Sequence, residues 1–294
     1  MEARQVKKLP SLPKFNHLNI LFAFFFLAAV LYSGKETRFS PASFADSGNL
    51  KAIGRFITGL WPPETSADFL MVTGKLVIET VEVSLLGTVL AIIFAFPLAI
   101  AATRPRGEEF TRASQGTLYW LARLLSYHLA RIFLNLFRGI PELMWALIFV
   151  VAVGLGPFPG VLALAAHSTG ILGKLYSEIF ESVEQRLVEM ARSTGAGEMA
   201  VLVYVRLPAT LPVFLSYTLF RWECNMRAAT VLGFVGAGGI GTQLMISMKL
   251  FAYGEVLSLI ATIFALVLIV DLAGQFVRAR ILDAPKVKCT SLSQ

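Results

Sequence analysis

The run LVIETVEVSLLGTVLAIIFAFPLAIAA, Leu76 to Ala102, sets 27 residues in a row with only two charges, Glu79 and Glu82. Wound as an α-helix rising about 1.5 Å per residue, it outreaches a hydrocarbon core roughly 30 Å thick. Such a run reads as a membrane-crossing helix, and similar runs recur at His17–Tyr32, Leu143–Leu155, Val161–Tyr176, Val213–Val235 and Val256–Val277. The expected fold is therefore all-α and polytopic, with about six transmembrane helices. Composition agrees: 56% of the 294 residues are hydrophobic and 15% charged, against about 45–50% apolar and about 25% charged in soluble domains. Loops between the runs are too short for separate folded domains. The chain divides into an N-terminal anchor helix and outer interfacial segment at 1–75, a core at 76–277 and a tail at 278–294.

Charge placement orients the chain. The proposed inner segments carry 17 Lys and Arg, against five between Ser33 and Lys75, and this positive-inside bias puts both termini in the cytoplasm. Arg4, Lys7, Lys8 and Lys14 ahead of the first apolar run also resemble the start of a signal peptide. No small-x-small cleavage site follows, so the run is taken as a retained span. Between Asn49 and Leu60, apolar residues at helical spacing suggest a helix lying at the interface and stopped by Trp61-Pro62-Pro63. Residues Gly116 to Phe137 are punctuated by Arg123, His128 and Arg131; a membrane-skirting helix fits them better than a crossing.

Several chemistries are excluded. His17, His128 and His167 stand on separate segments without a second ligand at helical spacing, so no metal site is expected. Cys224 and Cys289 are too few for a disulfide framework. The net charge of +7 forms no basic stripe with interleaved aromatics, which argues against nucleic acid. Gly236, Gly238 and Gly241 match G-x-G-x-x-G after a strand-like Ala229–Val235, with Glu255 following. A dinucleotide site would need a βαβ unit around them, whereas the flanks are membrane-length apolar runs. A closely packed glycine turn that also includes Gly239 is the better reading, and a membrane-bound nucleotide-dependent oxidoreductase the weaker one. Gly170 to Leu175 lacks the glycine spacing and the Ser/Thr of a phosphate loop, so no ATP site is read in this chain. Nothing indicates catalysis.

The strongest polar signal is EMARSTGAGE, Glu189 to Glu198, followed by Val205-Arg206-Leu207-Pro208 and Pro212. Gly195 suits a left-handed helix stop, and Leu207-Pro208 suits a reset of the chain. The expected form is a short helix, a sharp turn and another short helix on the cytoplasmic face. Glu-x-Ala, with Gly four residues after the Ala and hydrophobic-x-Leu-Pro ten residues beyond, resembles the coupling loop of ABC importer permeases. Met190 departs from the alanine common there. On that likeness Glu189, Ala191, Arg192, Gly195, Leu207 and Pro208 form the ATPase-coupling loop. Phe137 to Trp145 resembles a core helix start in the same family. The segment Arg221 to Gly241 is similar to the subgroup importing phosphonates and related phosphorus oxyanions. The resemblance covers most of the chain beyond Lys75. It implies a second permease copy as homodimer, two cytoplasmic ATPase subunits that carry ATP and Mg, and an extracytoplasmic solute-binding protein, in a bacterial inner membrane. A same-family permease for an amino acid such as methionine is the alternative.

Charges inside the spans complete the reading. Arg221, Glu223 and Arg227 fall roughly 12–21 Å along a helix beginning near Val213. Each costs at least about 2.5–3.5 kcal/mol in lipid, so they should face protein or water. Glu223 and Arg227 stand four apart and suit an ion pair on one helix face. Alternatively, Arg221 or Arg227 offers a planar guanidinium to a phosphorus oxyanion in the pathway. Glu79 and Glu82 supply a second acidic face, and His167 either lines the pathway or is a hydrogen-bonded interior histidine.

Overall fold

The computed structural model describes residues 17–37, 47–104 and 116–282. Arg4, Lys7, Lys8, Lys14, Arg38, Arg106, Arg112, Lys286 and Lys288, which entered the charge count, lie outside them, as does Cys289. Regular structure in the described residues is entirely helical. Two units are distinguished, Met1–Thr58 and Gly59–Gln294.

In the first unit, helix α1 (His17–Glu36) has no buried residue and presents Phe22, Phe24, Phe25 and Phe26 outward. A helix apolar all round and exposed all round is suited to lipid. Helix α2 spans Ser47–Gly59 and stops short of Trp61-Pro62-Pro63, as the sequence suggests.

The second unit is organised about α3 (Ala67–Ala102). It begins nine residues before the expected Leu76, because Lys75 lies exposed near a helix end, where its charge need not enter lipid. The elements that follow are α4 (Thr117–Gly139), α5 (Glu142–Val153), α6 (Pro157–Ser182), α7 (Gln185–Ser193), α8 (Glu198–Val201), a π turn (Leu202–Arg206), α9 (Leu207–Leu232), a 3-10 turn (Gly233–Val235), α10 (Ile240–Lys249) and α11 (Tyr253–Leu282). Helix α3 packs most extensively against α6. Gly87, Ala91, Ala95 and Ala99 recur every four residues along its buried face. Such a stripe lets two backbones approach closely. A Cβ at Gly87 would lie 2.8 Å from that of Leu164. Helix α4 crosses α6 at Gly170, where a Cβ would collide with the backbone nitrogen of Arg138 and stand 2.8 Å from the Leu134 carbonyl oxygen. The glycines of the faint phosphate-loop match thus serve helix packing.

Helices α4 and α5 meet at a 90° break. Pro141 causes it: proline has no amide hydrogen and holds the preceding residue extended, as Ile140 is at φ −90° and ψ 122°. Helix α5 has 12 residues, about 18 Å of rise, too short to cross alone. The expected crossing Leu143–Leu155 is therefore at most half of a broken span with α4. The guanidiniums of α4 find partners at the C-terminus of α3. Arg123 donates to the Ile100 and Thr103 carbonyls at 3.2 and 3.4 Å, and Arg131 to that of Ala102 at 3.2 Å and to Glu181 at 2.7 Å. Cations there satisfy terminal carbonyls and oppose the helix dipole.

By length and composition, four helices among the described residues are fit to cross a membrane, or five if α4 and α5 form one span. The count of six from apolar runs includes α6 and treats Leu143–Leu155 as a crossing of its own. Helix α6 falls out because His167, Ser168, Thr169, Lys174 and Glu178 dilute its hydropathy; it is mostly buried against protein and so needs little lipid-facing surface. The expected reset at Leu207-Pro208 is also absent, since Glu198 to Val235 forms one long helical run. The π turn just before Pro208 accommodates the missing amide and the ring. Ala229 to Val235, strand-like in sequence, is the end of α9 and a 3-10 turn.

Gly170→Ala is expected to destabilise the purified protein by about 1–3 kcal/mol through overpacking, lowering its unfolding midpoint. Gly74→Ala, whose Cβ would meet nothing within 4 Å, leaves the midpoint unchanged. Equal midpoints for the two variants would show that α4 and α6 do not meet at Gly170.

Candidate functional site

A chain of hydrogen bonds joins three helices in the interior. The Arg221 Nε of α9 donates to Ser168 Oγ of α6 at 3.0 Å, and Ser168 Oγ donates to Asn225 Oδ1 at 2.8 Å. Asn225 Nδ2 then donates to Thr88 Oγ1 of α3 at 2.8 Å, and Thr88 ends the chain on the Ser84 carbonyl at 2.7 Å. Ser168 and Asn225 are fully buried, so each needs both partners it has. The two terminal nitrogens of Arg221 meet no hydrogen-bond acceptor among the described residues. A guanidinium held by one nitrogen, with its planar fork uncommitted, is suited to accept an oxyanion.

Beside this chain, His167 Nδ1 lies 2.9 Å from the Ile140 carbonyl oxygen. A carbonyl only accepts, so Nδ1 carries the proton. Nε2 faces Glu142 Oε2 at 3.3 Å. His167 thus braces the α4–α5 corner, where Trp145 Nε1 also donates to the Phe137 carbonyl at 3.1 Å.

The other intramembrane charges are distributed differently from the sequence expectation. Glu223 does not pair with Arg227; it is 3% exposed and bonded to Arg278 of α11. Gly274 leaves the room, for a Cβ there would collide with the Glu223 carboxylate. Arg227, half exposed, instead faces Asp271 at 3.6 Å. Residues four apart on α9 both lean toward α11, where full opposite charges stand, and interhelical pairing displaces the intrahelical pair.

Glu79 and Glu82 are not one acidic face. Glu79 Oε1 accepts the Gly239 amide at 3.0 Å and Thr80 Oγ1 accepts that of Ile240 at 3.0 Å, so α3 caps the start of α10. Glu82 is exposed. The glycine turn is shaped by left-handed backbone at Gly236, Gly238 and Gly239, with φ of 84°, 80° and 73°. Gly241 abuts the Thr230 carbonyl and leaves no room for a side chain. These glycines cradle protein, and no βαβ unit surrounds them.

At the opposite end of α3, α7 ends in a Schellman turn. The Ala196 amide donates to the Ala191 carbonyl at 3.3 Å and the Gly195 amide to that of Arg192 at 2.9 Å, with Gly195 at φ +83°. Arg192 closes the turn on Glu198 at 2.7 Å. Leu207 is half-buried, and Glu189 and Pro208 are exposed. Leu187, Met190, Met199 and Tyr204 are exposed apolar residues of the same region. No His/Cys/Asp/Glu group able to hold a metal ion occurs among the described residues.

Sequence reasoning missed Thr88, Glu142, Ser168 and Asn225. Asn225 stands four residues after Arg221, the same helical spacing that drew attention to Glu223 and Arg227, and an amide in an apolar span was the available signal.

Residues 121–283 match the family model for binding-protein-dependent transport system inner membrane components. A phosphite transport system permease protein of Stutzerimonas stutzeri is 41% identical over 66% of this chain and 66% of its own length. A second from that organism, described as a putative phosphite transport system permease protein, is 33% identical over 81% of this chain and 78% of its own. Among solved structures, the MetNI methionine ABC transporter in an inward-facing conformation gives a TM-score of 0.61 at 19% identity, covering 74% of this chain and 99% of that one. At that identity the likeness speaks for the fold alone. With the helical core, the interior charges and the family match in agreement, the chain belongs to the binding-protein-dependent transport system inner membrane components, the multi-pass permease subunits of ABC importers.

Proposed function

We propose that this chain is the permease of an ATP-driven importer moving a phosphorus oxyanion, a phosphonate, phosphite or phosphate, inward by alternating access. The carrying observation is the half-buried Arg221, anchored through Nε to the Ser168–Asn225–Thr88 chain with its terminal nitrogens uncommitted. The named phosphite relatives support the same substrate class. Arg227 is the lesser candidate, because Asp271 faces its charge. Glu223, His167 and Glu79 hold the walls of the pathway in place, and exposed Glu82 remains a candidate lining residue. A methionine permease has the weaker support, since methionine permeases are more distant relatives than the phosphite permeases.

In this reading the chain pairs with a second copy of itself, two ATPase subunits dock on the cytoplasmic face, ATP and Mg stay with those subunits, and a solute-binding protein delivers substrate outside. Both termini are cytoplasmic. The Schellman turn at Gly195 and the exposed Leu187, Met190, Met199 and Tyr204 form the surface on which an ATPase subunit sits. A compact turn closed by Arg192 and Glu198 passes a push into the run from Glu198 to Val235.

Arg221→Ala is expected to lower phosphite or phosphonate uptake roughly 10- to 100-fold, the equivalent of about 1.5–3 kcal/mol for a charge-assisted hydrogen bond. Arg221→Lys retains part of it, and Arg227→Ala most of it. Uptake assays in a deletion strain, with membrane insertion and ATPase assembly verified, decide the matter. Undiminished uptake by Arg221→Ala would remove the residue from the pathway, and growth rescue on methionine instead of a phosphorus source would overturn the substrate class.

Gly195→Val is expected to leave insertion intact and uncouple ATP hydrolysis from uptake. A Cβ there meets nothing within 4 Å, so the strain is conformational, roughly 1–2 kcal/mol for leaving the left-handed region to a residue with a side chain. Wild-type uptake and wild-type ATPase association in that variant would sink the coupling role of the turn.

A further inference from the structure

The oxyanion reading gives Glu142 no task, although its carboxylate shares the interior with Arg221. Consecutive residues of α6 hold the two charges: Ser168 Oγ accepts from the Arg221 Nε at 3.0 Å, and His167 Nε2 meets Glu142 Oε2 at 3.3 Å. Helices α9 and α5, which carry Arg221 and Glu142, touch each other, and the two charges lie within electrostatic reach of one another and of His167. Glu142 opens α5 directly after the break at Pro141, and its side chain is 38% exposed, so open space reaches it. Its two carboxylate oxygens are not equivalent. His167 Nδ1 is committed to the Ile140 carbonyl, so Nε2 and Oε2 would be two acceptors face to face without a proton between them. The pair therefore holds one proton, and that proton occupies Oε2. Whichever partner carries it, Oε1 is left as an acceptor, and it has no partner among the described residues. Arg221 is the complement, since a guanidinium has donors and no acceptor. A fork of donors and a lone acceptor are thus anchored on successive residues of one helix.

We propose that Glu142 selects the oxyanion by its acid proton: Arg221 binds two oxygens of the anion, and Glu142 Oε1 accepts the hydrogen bond of a third oxygen, the one that bears the proton. This selection rests on the oxyanion role of Arg221 given above. A phosphorus oxyacid loses its second proton near neutral pH, so phosphonate, phosphite and phosphate all offer a monoanion with an O–H. Sulfate and the sulfonates, tetrahedral and of similar size, are fully ionised there and offer acceptors only. Set against Oε1, such an anion brings lone pairs to lone pairs and leaves a half-buried acceptor unpaired. Discrimination of this kind comes from a repulsive element as well as an attractive one. Arg221 cannot supply it alone, because its donors serve any oxyanion alike. His167 is the positioning residue, holding Oε2 so that Oε1 is the oxygen left for the anion.

Calorimetric titration of methylphosphonate and of methanesulfonate into the full-length chain, held in phosphatidylcholine nanodiscs at neutral pH, isolates the proton. The two monoanions match in shape and charge and differ in the O–H. The wild type is expected to bind methylphosphonate at least about tenfold more tightly, the scale of a hydrogen bond to a charged group. Glu142→Met keeps the length of the side chain and removes the acceptor, and it is expected to bring the two affinities within about threefold of each other. Glu142→Gln keeps most of the preference, since its amide donates to His167 Nε2 and still accepts through its oxygen. Equal affinity for the two probes in the wild type overturns the proposal without recourse to any variant, so a folding failure of Glu142→Met does not shield it. A preference that survives in Glu142→Met, while Arg221→Ala abolishes binding of both probes, overturns the role of Glu142 and leaves that of Arg221 standing. Undiminished binding by Arg221→Ala, or no binding of methylphosphonate by the wild type, removes the anion site at Arg221 and the selection built on it.

Discussion

Close approach of α3 and α6 is the constraint on which the interior depends. The bonds from Thr88 to Asn225 and Ser168 are each 2.8 Å long, and they close only if α3, α6 and α9 are pressed together. Gly87, Ala91, Ala95 and Ala99 make that possible by removing bulk from the face of α3 that meets α6. In hydrocarbon there is little hydrophobic drive between helices, so packing and interhelical hydrogen bonds must hold them. The small residues and the polar chain are therefore one device: the first brings the backbones near, and the second gives the near arrangement its particular register. Arg221 is oriented as the last member of that chain.

Two further polar arrangements hold α9 and the turn after it. Glu223 and Arg278 bury opposite charges between α9 and α11. Removing one partner of such a pair costs about 3–5 kcal/mol, because the other is left uncompensated. Gly274 is the concession made to this pair by α11. The glycine turn between α9 and α10 is clasped by Glu79 and Thr80, and by the Gly156 amide, which donates to the Gly236 carbonyl at 2.9 Å. Charges that would be liabilities facing lipid thus act as fastenings between helices.

The all-α membrane class was legible because apolar run length maps directly onto helix length and bilayer thickness. The turn at Gly195 was legible because its signal is local: a polar stretch with a glycine where the helix stops. What could not be read was pairing across long separations. The expected Glu223–Arg227 pair obeys the spacing rule of an isolated helix, yet Arg278 lies 55 residues away in sequence and prevails. The bond of Glu79 to the Gly239 amide was not legible either, because nothing nearby in the chain announces a partner 160 residues on. The apolar-run count and the number of helices fit to cross by length and composition differ for a related reason. Hydropathy measures fitness for lipid, whereas α6 is surrounded mainly by protein and carries the polar residues of the interior. Pro208, taken as a breaker, is absorbed by an inserted π turn, which sequence does not mark.

Helix α10 has only ten residues, and the amides at its start are satisfied by side chains of α3. An isolated helix of that length is marginal even with good formers, so its order is on loan from a neighbour. Withdrawing α3 by a few ångströms would take the acceptors from both amides together. The order of α10 is thereby tied to the position of α3. A turn that looks like a passive connector in the chain therefore serves as a latch, whose closure reports where α3 stands.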